Sequence, residues 1–271
     1  MSTRRQLGCL PLLAAVAVVA AGCSGGTVDG TASSDPASSS SSAPPSAAPP
    51  TDAAGLASAL QKGAQSIRSA HLTLQVTAAG QTIDGQGDET LSGGTLQDLD
   101  LTETVPPAGQ IRIVMAAGKT YVQLPAQLNQ SGKPWVLVST TSSNPVVAQL
   151  ATTLQQTQQS ASLDQYTAFT RAASGLQVVG PEQVAGADAT RYRLTVDVTR
   201  LPDTLPGREA LLTAGLMSLP VDLWVDDQGR PVKVTENLSV QGQTVDTVVT
   251  IGNFDAPVTV TAPPADQVAT G

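Results

Sequence analysis

Ala189-Thr190-Arg191-Tyr192-Arg193-Leu194-Thr195-Val196-Asp197-Val198-Thr199 decides the fold class. Tyr192, Leu194, Val196 and Val198 fall on one side of an extended chain. Arg191, Arg193, Thr195 and Asp197 fall on the other. A period of two with one apolar side is a strand that buries one face and wets the other. The same period returns downstream in Val221-Asp222-Leu223-Trp224-Val225. Asp227-Gln228-Gly229-Arg230 supplies a turn, and residues 231–240 read as the hairpin partner. Residues 243–251 predict one more long strand and 258–261 a short one. Residues 176–185 predict a strand broken at Gly180-Pro181.

Upstream, Leu72, Leu74 and Val76 alternate with Thr73, Gln75 and Thr77. Further strands are predicted over 81–91, 95–104, 110–117, 119–124 and 134–139. Ala117-Gly118 marks a tight hairpin, and the alternation loses phase near Leu96 and Leu99, which predicts a bulge. Helical periodicity appears in three places. Asp52 is a candidate N-cap, followed by Leu56, Leu60, Ala64 and Ile67 over 53–69. Asn144-Pro145 opens a second block carrying Val147, Leu150 and Leu154, and Ser162-Leu163-Asp164-Gln165 fits a capping box before Tyr166 and Phe169. A short helix with Leu211, Leu212, Leu216 and Met217 is expected within 201–219. Many strands joined by tight turns, with few helices, give an α+β fold: a mostly antiparallel sheet with helices on one face.

Residues 1–22 read as an export leader. Arg4 and Arg5 precede an apolar run from Leu7 to Ala21 that ends in small residues before Cys23. A Cys at that place resembles the lipobox of bacterial lipoproteins, with Ala20 standing where that motif usually has Leu. The resemblance implies that the thiol of Cys23 is acylated and anchors the chain. The other cysteine, Cys9, lies within the leader, so no internal disulfide is expected. Both general secretory and twin-arginine routes fit Arg4-Arg5, and the general route is favoured.

Residues 23–52 then read as the lipidated Cys and a disordered tether. The stretch includes Ser38–Ser42, Pro44-Pro45 and Pro49-Pro50 and holds almost no large apolar side chains. Ser and Thr beside Pro suit O-glycosylation. Residues 53–262 form one domain long enough for a core, and 263–271 a flexible tail. Loss of the leader would remove Arg4 and Arg5 and shift the formal charge from −8 to −10. An acidic exported chain is a poor partner for nucleic acid and for anionic membrane surfaces, so attachment would rest on acyl chains.

Several stretches together resemble the actinobacterial LppX/LprA/LprF/LprG lipoproteins and, more distantly, the LolA/LolB carriers. They include Ser69-Ala70-His71-Leu72-Thr73-Leu74, Gly118-Lys119-Thr120-Tyr121-Val122 and Lys133-Pro134-Trp135-Val136. Ala189 to Val196, Leu219 to Asp226 and the ending Phe254 to Pro264 belong to the same set. These are packing and turn patterns, and none is a catalytic signature. The resemblance implies a strongly curved antiparallel sheet, a half-open barrel, with helices across its concave face and lipid acyl chains held between them. Candidate lining residues are Leu74, Val76, Ile113, Met115, Leu150, Leu154, Tyr166, Phe169, Leu194, Val196, Leu216 and Leu223. Taken singly, each reads first as an ordinary core residue, which only a cavity would reverse, and the pattern leaves open which sheet face is concave.

Catalytic constellations are not legible. His71 is the single histidine, and no Gly-x-Ser-x-Gly elbow accompanies it. Asp222, Asp226 and Asp227 do not match a calcium loop and fit strand ends and turns. Arg191, Arg193 and Arg230 are candidates for a lipid phosphate, or simply a solvated strand face. The leading expectation is therefore a non-enzymatic, membrane-anchored carrier of lipid or glycolipid in the cell envelope. It is expected to be a monomer, to need no cofactor and no metal, and to meet an envelope transporter rather than nucleic acid. Two alternatives stand beside it: an interaction or sensor module with the same fold and no ligand cavity, and a carboxylate enzyme acting on lipids or glycans.

Overall fold

Asp52 closes the first turn of the first helix by accepting the Gly55 amide at 2.8 Å. The computed structural model, which describes residues 48–129, 131–139, 151, 164–205, 207–240 and 243–269, runs this helix, α1, over Ala53–Ser66. Its apolar stripe is buried, with Leu56, Leu60, Ala64 and the following Ile67 all at 1% exposure or less. Each fully buried Leu or Ile contributes about 1.5–3 kcal/mol, so the stripe fixes α1 to what lies beneath it.

What lies beneath is one sheet. In chain order its strands are β1 (Ser69–Ala78), β2 (Gln81–Ser92), β3 (Thr95–Val105), β4 (Gly109–Ala116), β5 (Lys119–Gln123) and β6 (Trp135–Leu137). After α2 (Asp164–Ala172) follow β7 (Ala173–Val184) and β8 (Ala187–Asp197). A short α3 (Arg208–Thr213) then precedes β9 (Ser218–Asp226), β10 (Pro231–Val240), β11 (Gln243–Gly252) and β12 (Val268–Ala269). The spatial order is β12-β6-β5-β4-β3-β2-β1-β11-β10-β9-β8-β7. It consists of two runs of sequential neighbours, β1 to β6 and β7 to β11, joined where β1 pairs antiparallel with β11. The sheet is strongly curved and unclosed, an α+β half-open barrel. All its pairings are antiparallel except β12 on β6.

Local devices match the sequence. Ala117 and Gly118 both take positive φ in the β4–β5 hairpin. In the β2–β3 pair, Thr90 faces Asp98 but Leu91 faces Leu96, so Gln97 is the bulged residue where the alternation lost phase. Gly87 marks a tight passage of β2 over β3: a methyl there would lie 2.9 Å from the Leu101 Cα. Strand β7 runs on through Gly180-Pro181 because it is an edge strand, where a missing amide donor is tolerated, and it bulges between Val178 and Gly180.

Other expectations are corrected. The first helix stops at Ser66, short of 69. Leu216 and Met217 lie beyond α3, which ends before Gly215 at φ 79°. Residues 258–261 form no strand. The chain instead crosses the convex face, where Val260 and Ala262 pack against the cluster of Val114, Ala116, Trp135 and Val268. Residues 265–269, expected beyond the folded domain, make a 3-10 turn and then β12, which pairs Val268 with Trp135. The block around Val147, Leu150 and Leu154, and the cap residues Ser162 and Leu163, lie outside the described residues.

Candidate functional site: the concave face

Register settles which face is which. Leu72 and Leu74 of β1 stand opposite Ile251 and Val249 of β11, and Val249 opposite Val234 of β10. Val234 faces Leu223 of β9, which faces Tyr192 of β8, while Val221 faces Leu194. On the other half, Leu101 faces Ile113, Ile113 faces Val122, and Val122 faces Val136. These residues form one apolar surface with Leu56 and Leu60 of α1 and with Tyr166, Phe169 and Ala172 of α2. The helices therefore cover this face, which is the concave one. Tyr166 and Phe169 meet edge to face at 6.4 Å between ring centres.

Of the proposed lining residues, Leu74, Ile113, Tyr166, Phe169, Leu194, Val196 and Leu223 are buried on this surface. Val76 and Met115 pack against it while partly exposed. Leu216 lies in the segment after α3, half-buried and not part of the surface. Leu150 and Leu154 lie outside the described residues. Partly exposed apolar side chains continue the surface at Leu96, Ile111, Leu176, Leu211, Leu212 and Leu238.

Three glutamates interrupt it. Glu89 stands opposite Ala70 and Leu99, Glu103 opposite Gly85 and Ile111, and Glu236 opposite Val221 and Thr247. All three hold concave-facing register positions. Glu89 is 3% exposed and Glu103 7%. Burial pushes Glu89 up to about 8 and Glu103 and Glu236 up to about 7. Tyr166 is also raised, first by burial and then by the charge of Glu236. Sequence reasoning passed over these acids, although each falls in phase with apolar neighbours: Glu89 with Leu91, Glu103 with Leu101, and Glu236 with Val234 and Leu238.

The convex face is different material. His71 Nδ1 lies 2.5 Å from Asp88 Oδ1 under the crossing C-terminal segment, beside a cleft of about 210 Å³. Arg112 grips Asp100 through two bonds of 2.8 and 2.6 Å. A wider groove of about 480 Å³ is lined mainly by Thr73, Gln75, Asp84, Gln86, Thr102, Thr104, Gln110 and Thr250. Leu74, Gly85 and Val248 complete the lining beside these hydroxyls, amides and one carboxylate. Among the described residues no group of three or more potential ligands gathers for a metal.

The candidate phosphate cations lie here too, and each already has a carboxylate. Arg191 binds Glu182 at 3.1 Å and Asp222 at 2.5 Å, Arg193 binds Asp222 at 2.9 Å, and Arg230 binds Asp226 at 2.7 Å. Arg191 and Lys233 lie over the Trp224 ring, whose Nε1 donates to Glu182 at 2.7 Å. Asp222 and Asp226 thus serve ion pairs, and Asp226 also accepts the Gln228 and Arg230 amides of its turn.

No family model matches the sequence, and no curated protein does. Solved structures do match in outline. The chain is similar to LprF and LppX. LprF from Mycobacterium bovis shares 16% identity and a TM-score of 0.49, over 77% of this chain and 96% of that one. Lipoprotein LppX from Mycobacterium tuberculosis shares 13% and 0.47, over 77% and 99%. The MucA/MucB complex from Pseudomonas aeruginosa shares 16% and 0.34, over 79% and 59%. At these identities no residue's role passes from one chain to the other.

Proposed function

We propose that this chain is an exported, lipid-anchored carrier that seats acyl chains between its concave sheet face and the helices above it. The observation that carries the reading is the concave face itself. Apart from the three glutamates it is apolar across strands from β6 to β8, is roofed by α1 and α2, and continues into half-exposed Ile111, Met115, Leu176 and Leu238. Burial of an acyl chain there would contribute about 0.8 kcal/mol per methylene. In this reading Cys23 holds the acyl anchor, residues 24–52 are the tether, and the protein works at the outer surface of the cell membrane without catalysis. Native mass spectrometry of the full chain from a bacterial envelope, followed by lipid extraction, tests it. A stoichiometric diacyl lipid or glycolipid adduct is expected, and a bare mass that persists after exposure to envelope lipids overturns it.

A second reading, an envelope interaction module, draws support from β7. That strand ends the sheet, and its Val178 and Val179 are 37% and 42% exposed. An edge strand with open backbone groups can take a partner strand. Protection of β7 amides from exchange only in the presence of an envelope protein would favour it.

A further inference from the structure

The concave face carries acid and no base. Glu89, Glu103 and Glu236 are unpaired there, and none makes a hydrogen bond or ion pair with another described residue. Every cation on the described strands sits at a convex-facing register position: Arg112, Lys119, Arg191, Arg193 and Lys233. The remaining cations of the domain do not turn inward. Lys62, Arg68, Arg171 and Arg200 are exposed, while Lys133, Arg208 and Arg230 bind Val268, Asp203 and Asp226. Residues 140–163 contain no charged residue at all. On α2, the buried Thr167 hydroxyl also has no partner among the described residues.

A carboxyl in apolar surroundings without a counter-charge is biased toward its protonated form, and a protonated carboxyl wants an oxygen to donate to. An anion brought to this face meets no counter-charge, and burying an unpaired anion in an apolar medium is costly. We infer that this face selects lipids whose buried portion is uncharged and rich in ester or hydroxyl oxygens, with Glu89, Glu103 and Glu236 donating to those oxygens and the lack of an inward-facing cation excluding anionic head groups. The inference rests on the carrier reading and sharpens its substrate class.

The test uses the full chain with Cys23→Ser, so that no acyl chain of its own is counted. It is incubated with phosphatidylcholine vesicles containing equal parts of a diacylglycerol and a phosphatidylglycerol, re-isolated, and its bound lipid is quantified. We expect diacylglycerol to exceed phosphatidylglycerol by at least about tenfold. In the triple variant Glu89→Met, Glu103→Met, Glu236→Met, which removes the donors, with an unchanged circular dichroism spectrum, that ratio should fall at least about threefold, whereas the triple glutamine variant, which keeps neutral donors, should retain it. Equal uptake of the two lipids by the parent chain, or an undiminished ratio in the triple methionine variant, overturns the selectivity and leaves the carrier standing. Uptake of neither lipid overturns both.

Discussion

Gly63 of α1 rests directly on the backbone of Gly229 in the β9–β10 turn. A methyl carbon on Gly63 would lie 2.7 Å from the Arg230 amide nitrogen and closer still to the Gly229 carbonyl, while one on Gly229 would lie 2.8 Å from the Ala59 carbonyl carbon. Neither neighbour is a side chain that can swing away. Helix and hairpin therefore approach backbone to backbone, and this contact sets how low α1 sits over the concave face.

Gly63→Ala tests that contact. Alanine alone would favour the helix by about 1 kcal/mol, but overpacking against rigid backbone costs about 1–3 kcal/mol or more. A net loss of roughly 1–2 kcal/mol is expected in chemical denaturation. A gain in stability would show that α1 lifts freely from the turn.

Acidity should stabilise the domain. The folded state holds Glu89, Glu103 and Glu236 at about 7 to 8, above the ordinary carboxylate value of 4.5. Between those limits the folded chain binds more protons than the unfolded one, so stability is highest near pH 5 and falls as pH rises through 7 to 8. Thermal melts from pH 5 to 9 should lose roughly 5–10 °C. The triple glutamine variant should show a much flatter profile.

Asp222 should behave in the opposite sense. Burial raises it, but the hydrogen bonds and charges of Arg193 and Arg191 outweigh burial and hold it below the ordinary carboxylate range. Stability from this group is present above pH 4 and lost as pH falls below its ordinary value. Asp222→Asn leaves two guanidinium groups without their shared anion, and a loss of about 1–2 kcal/mol is expected at pH 7 by urea titration.

Cys23→Ser should release the chain from membranes. If acyl chains on Cys23 supply the anchorage, the variant moves from the membrane to the soluble envelope fraction, while its circular dichroism melt stays unchanged. Persistence in the membrane fraction would assign anchorage to another segment.

The strand pattern was open to reading because local alternation sets it, from Leu72, Leu74 and Val76 to Tyr192, Leu194 and Val196. Even the Gln97 bulge left its mark as a lost phase. The concave face was not legible, because it depends on register between strands far apart, such as Leu74 against Val249. Residues 258–261 alternate like a strand but pair with none, lying across the strands rather than along one. Strand β12 has only two residues and a distant parallel partner, so no local signal announces it. Glu89, Glu103 and Glu236 were overlooked because a charged residue in an apolar phase reads as a lapse in the pattern.

The β1–β11 seam also has a temporal meaning. Each half of the sheet is built from neighbouring hairpins, whose loops close over short spans of chain, while β1 must wait for a strand that begins at Gln243. A chain emerging from its N-terminus can assemble β1 to β6 early, yet β1 keeps a bare edge until nearly the last residue has appeared. Export in an unfolded state would postpone that exposure until the whole chain is available to cover it.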